Sequence, residues 1–105
     1  MRITSVKVGP IRYRVEPWTD AASNDDEARG DLSYRLGRIR LADSYNPAAT
    51  AESLIHEVLH AIFAEIEMEW TDDDEEDMVR ALSPRLAAFL ADNPKQVAEL
   101  LRMLA

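Results

Sequence analysis

Near the middle of the chain the spacing of apolar residues changes from two to about 3.6, and the change falls at Asn46-Pro47. Before it, Ile11, Tyr13 and Val15 alternate with Arg12, Arg14 and Glu16, as in a strand with one buried face. After it, apolar residues recur at helical intervals. A chain of 105 residues with this one switch has room for one sheet and one helical layer. The expectation is a single α+β domain over residues 1–105, with strands and loop in 1–45 and helices in 46–105.

Residues 2–8 read as a first strand, Gly9-Pro10 as a turn and residues 11–16 as a second strand that Pro17 ends. Residues 18–33 are polar and rich in Asp, Asn, Ala and Ser, and read as a long loop with room for a helical turn near 25–29. A third strand lies around 38–41 within the extended stretch 34–42. The expected sheet is small, antiparallel and about three-stranded.

Asn46 offers an N-cap and Pro47 a first helical residue for a helix reaching residue 66 or 68. Its apolar stripe is Ile55, Val58, Leu59, Ile62, Phe63 and Ile66. A second helix begins after Trp70, capped by Thr71 or Asp72, and the acidic run 72–77 suits its positive end. Its stripe is Met78, Val79, Leu82, Leu86, Phe89 and Leu90. Ser83-Pro84 inside that pattern predicts a kink or local break. Asp92-Asn93-Pro94 ends the helix, and a third helix over 95–104 turns Val97, Leu100, Leu101 and Leu104 inward.

The first helix carries His56-Glu57-Val58-Leu59-His60, which holds both histidines of the chain. On a helix, positions i and i+4 share a face, so two imidazoles can reach one metal at about 2.0–2.1 Å. A glutamate directly after the first histidine lies at the rim of that face. There it can hold the metal's water and take its proton. Two histidines 4 residues apart are also compatible with two surface side chains; their place beside an apolar stripe favours a supported site. At about 100° per residue, they lie about 100–140° round from Ile55, on the stripe's edge.

A catalytic zinc takes three protein ligands and a water. There is no cysteine, so the donors are nitrogen and oxygen. Phe63 and Ile66 stand where a three-histidine variant of the motif has glycine and histidine. The third ligand is therefore expected to be a carboxylate from residues 72–77. With Met78 at 0°, the second helix's stripe centres near about 55°; Glu75 falls near about 60° and Glu76 near about 160°. Glu75 is thus the first candidate and Glu76 the alternative.

The segment from Ser53 to Ile62, the Glu-rich helix start, Val79-Arg80-Ala81-Leu82 and Leu90-Ala91-Asp92-Asn93-Pro94 together resemble small phage- and prophage-type zinc metallopeptidases. These are similar in plan to the ImmA/IrrE-type and SprT-like gluzincins. The resemblance spans about residues 34–95. It implies a minimal zincin-like fold, with a small sheet, the H-E-x-x-H helix and a glutamate from the next helix. It also implies His56, His60 and one of Glu75 or Glu76 as zinc ligands, Glu57 as general base, and a peptide or protein substrate. The third strand would offer its edge to that peptide. The alternative is a non-catalytic zinc-binding interaction or assembly protein, although a structural site has no use for a base at Glu57.

Net charge is −8, unevenly spread: residues 1–45 carry eight Lys/Arg and seven Asp/Glu, residues 46–105 four and thirteen. Such an acidic half argues against nucleic acid as partner. No apolar run approaches the roughly 20 residues of a membrane span, and the first residues read as a strand rather than a signal peptide. A cytoplasmic protein is expected. Arg12, Arg14, Arg38 and Arg40 should share the sheet's outer face, as solvated charge or, less expected, a patch for an acidic partner or nucleic acid. Tyr34 and Tyr45 flank the third strand as rim or packing residues with hydroxyls suited to an oxyanion, and Trp70 suits a packing role or the cleft wall.

Overall fold

The computed structural model describes residues 2–18, 29–42, 45–66 and 75–105, the side chain of Glu75 excepted. Its elements are β1 (Ser5–Val8), β2 (Ile11–Trp18), β3 (Gly30–Ser33), β4 (Arg38–Ala42), α1 (Pro47–Glu65), α2 (Glu75–Asp92) and α3 (Pro94–Leu104). The class is α+β. The sheet has four strands in the order β1-β2-β4-β3, not three. It is mixed rather than antiparallel: β2 and β4 run parallel, and the other two pairs are antiparallel.

The β1–β2 hairpin turns at Gly9-Pro10. Gly9 has φ +56°, a conformation that L side chains rarely adopt, and the Glu65 carboxylate occupies the space a Cβ would need. Strand β2 runs through Pro17 to Trp18 instead of stopping before it. The β1 pairing ends at Ser5–Arg14, followed by a last bond from the Val15 N–H to the Thr4 carbonyl. Pro17, two residues on, directs its missing donor to that vacated side.

Strand β3 is an element the sequence reading placed in a loop. Gly30-Asp31-Leu32-Ser33 has one apolar side chain, too few to show alternation. It pairs with β4 through Leu32–Ile39 and makes β4 an interior strand. The edge beside α1 is therefore β3, not β4.

The inner face of the sheet presents Val6, Val8, Tyr13, Val15, Ile39 and Leu41, all buried. Against them α1 lays Ala51, Leu54, Val58, Ala61 and Ile62. The expected stripe on α1 was turned about one residue too far: Leu54 is fully buried, whereas Ile55 is 36% exposed. Apolar residues cover more than half of this helix, so periodicity alone does not say which part meets the sheet. Asn46 caps the helix as expected, its Oδ1 accepting from the Ala49 N–H at 2.9 Å, and Pro47 follows at the first position.

Helix α2 passes through Pro84 without interruption. The Ser83 hydroxyl donates to the Val79 carbonyl at 2.6 Å and Arg85 Nη1 to the Ala81 carbonyl at 2.8 Å, so side chains serve carbonyls around the proline. Thr71 and Asp72, expected as its cap, and Trp70 lie outside the described residues. The corner between α2 and α3 is fixed by Asn93, which is wholly buried. Its Oδ1 accepts from the Lys7 N–H, and its Nδ2 donates to the Lys7 and Phe89 carbonyls, each at 2.8 Å. Gln96 adds a bond to the Ser5 carbonyl at 3.1 Å. Two side-chain amides thus partner the outer edge of β1 as a further strand would.

On the outer face, Arg12, Arg14, Arg38 and Arg40 alternate with buried residues as expected. Arg40 pairs with Asp31 and lies over the Trp18 ring at 4.7 Å, and Arg14 lies 3.7 Å from Glu16. Of the inward positions expected on α2 and α3, Phe89 and Leu100 are buried, but Val79, Leu86, Leu90, Leu101 and Leu104 are not.

Candidate metal centre

Helix α1 holds His56, Glu57 and His60 on the flank that looks along β3. With Leu54 as the centre of the sheet-facing side, Glu57 sits about 60° to one side, and the histidines are carried farther round. Glu57 is accordingly 7% exposed, while both histidines are exposed. Gly30 brings β3 beside this flank, and a side chain there would press on β4 while only touching Glu57. A Cβ there would stand 3.1 Å from the Arg40 carbonyl oxygen and 3.5 Å from Glu57 Cγ.

The two imidazoles converge. Nε2 of His60 is 3.1 Å from Nε2 of His56, with ring centroids 4.7 Å apart and planes at 72°. Two nitrogens at about 2.0–2.1 Å from one tetrahedral ion would stand about 3.3 Å apart. The observed spacing is within a few tenths of an ångström of that value. Ligand atoms of His56, Glu57 and His60 all lie within 4.8 Å of one another. Two imidazole nitrogens and a carboxylate oxygen make a donor set suited to zinc or a similar divalent ion. The three residues named from the motif are thus brought together.

The expected third ligand is not among them. Glu75 opens α2, and its side chain lies outside the described residues. Glu76 is exposed and pairs with Arg80 at 3.2 Å. Among the described residues, no carboxylate other than Glu57 is gathered with the two histidines.

Burial raises the Glu57 carboxyl above the usual glutamate range. The two histidines pull it back down, and Asp31 pushes it further up. A carboxylate held more basic than in water is a better proton acceptor.

A cleft of about 300 Å³ opens at this point, lined by Arg29, Gly30, Glu52, Ser53, His56 and Glu57. Arg29 and Gly30 come from a segment that reads as loop in the sequence, and neither type carries a signal without the strand that places it. Tyr34 is positioned at the other end of the histidine pair. Its hydroxyl donates to the His60 carbonyl at 2.9 Å, tying the β3–β4 turn to the helix. Burial, then the negative charge of Glu57, raises its pKa. That hydroxyl, considered for an oxyanion, is engaged with the helix backbone. Tyr45 lies under the Arg29 guanidinium at 5.7 Å.

No protein-family model, curated protein or solved structure matches the chain. The chemistry of this centre therefore stands on its own residues. Among the described residues, no helix is long and apolar enough to cross a membrane.

Proposed function

We propose that the protein is a metal-dependent peptide hydrolase, with His56 and His60 as ligands of zinc and Glu57 as general base. The observation that carries the reading is the 3.1 Å approach of the two Nε2 atoms beside the buried Glu57. A divalent ion bound there would supply an acidified water and polarise a carbonyl. The remaining steps belong to the chain. Glu57 takes the proton from the attacking water and returns it to the leaving amine, so one carboxylate serves as base and then as acid. Its burial keeps bulk water from competing for that proton. A carboxylate from the start of α2, Glu75 before Glu76, completes the ligand set in this reading.

The substrate is an extended peptide of a protein. Strand β3 is the sheet edge next to the cleft, and its outer backbone groups suit pairing with such a segment. Arg29, at the entrance to β3, gives the cleft a cation for an acidic group of the substrate. The absence of cysteine and the charge of −8 agree with a cytoplasmic setting.

The test is Glu57→Gln. The variant keeps the shape of the side chain and is expected to retain zinc while losing at least about 100-fold in peptide cleavage. A peptide library read by mass spectrometry first finds a substrate for the zinc-loaded wild type. Undiminished cleavage of that substrate by the variant would exclude Glu57 as the base.

A further inference from the structure

We infer that the apolar face shared by the three helices is the contact for a second copy of this chain. The face is built from residues the metal centre does not use. Ile55 of α1, Leu86 and Leu90 of α2, and Leu101 and Leu104 of α3 are 36–64% exposed. They surround a hollow of about 190 Å³ whose described lining is apolar throughout. Val79, 48% exposed, extends the Leu86–Leu90 row by two turns.

Three observations select a second copy as the occupant. The first is area. Six half-exposed aliphatic side chains present on the order of 500 Å² of apolar surface, in the upper half of the range for a monomer's largest patch. That is enough for the apolar centre of an interface taking about 800 Å² per partner. The second is shape. Leu101, at 64% the most exposed large apolar side chain among the described residues, stands on the wall of the hollow. In the proposed dimer a two-fold axis would set the α3 leucines of each copy against the other's hollow, as an isologous contact requires. The third is the lack of charge in the lining, so the hollow offers no group to select a charged ligand.

The seam has a consequence for the cleft. Ile55 and Leu59 line the hollow and each directly precedes a histidine. The second copy would therefore border the metal centre and add a wall to its cleft.

Sedimentation of the full-length protein from about 1 to about 200 µM, at low and high salt, tests the inference. The expected species has twice the 11.9 kDa mass of the chain. Each copy carries −8, so association strengthens as salt screens the repulsion. Leu101→Glu and Leu90→Glu should each weaken it at least about tenfold. At concentrations low enough to keep the wild type monomeric, their thermal midpoints should match its value, because both side chains are already half in solvent in the single copy. Leu101→Met should still dimerise. A wild type that stays monomeric throughout overturns the inference and leaves the face to another kind of partner. A dimer indifferent to both glutamates overturns it as well. A dimer that dissociates as salt rises does so too, and assigns the contact to the basic sheet face and the acidic helices.

Discussion

Asp31 shows how a single residue of the missed strand acts on both the sheet and the site. It accepts from Arg40 Nε at 2.9 Å, and that hydrogen bond, more than any other influence, holds its carboxyl below the usual aspartate range. A depressed folded-state pKa stabilises the fold above the unfolded value of about 3.9, and this is lost as pH falls through the folded value. The side chain is 37% exposed, so solvent screening limits the pair to less than about 1 kcal/mol. Asp31→Asn should lower the thermal midpoint slightly at pH 7 and by less at pH 2, measured by circular dichroism. An equal effect at both values would show that the substitution acts through packing instead. His56, Glu57 and His60 were legible because their chemistry depends on helical spacing, which sequence specifies. Asp31 was not, because its position depends on pairing between residues nine apart in an element that carries one apolar side chain.

At the scale of elements, Asn93 joins the helical layer to the sheet edge. In the sequence it reads as a helix stop; in the fold it supplies three hydrogen bonds from a fully buried side chain. Asn93→Ala removes those bonds and strands the Lys7 N–H and two carbonyls. The expected cost is about 2–4 kcal/mol, read from urea unfolding at neutral pH. A loss under about 0.5 kcal/mol would mean that the edge of β1 finds other partners. Local signals located α1 well, since Asn46-Pro47 is a start signal with its own geometry. They did not fix its rotation, because Ile55, Leu59 and Phe63 are as apolar as Leu54, Val58 and Ile62. The sheet takes the second set, while Ile55 and Leu59 border the hollow between the helices. The parallel pairing of β2 with β4 was equally hidden, since it follows from β3 occupying the outer position beside β4.

The whole molecule separates its tasks by layer. The sheet sets an edge strand against the cleft, α1 carries the three site residues, and α2 and α3 close the core while leaving an apolar face of their own. Arginines gather on the outer sheet face, and in the sequence most acidic residues fall in the helical half. The proposed chemistry depends on a metal being bound. That chemistry requires His56 and His60 to hold one ion with Glu57 beside it as base. Metal analysis of the zinc-loaded, dialysed protein tests it most directly. The expected result is about one zinc per chain in the wild type and in Glu57→Gln, with almost none in His56→Ala or His60→Ala. Wild-type protein that retains no zinc, or as much zinc in the two alanine variants as in the wild type, would contradict it.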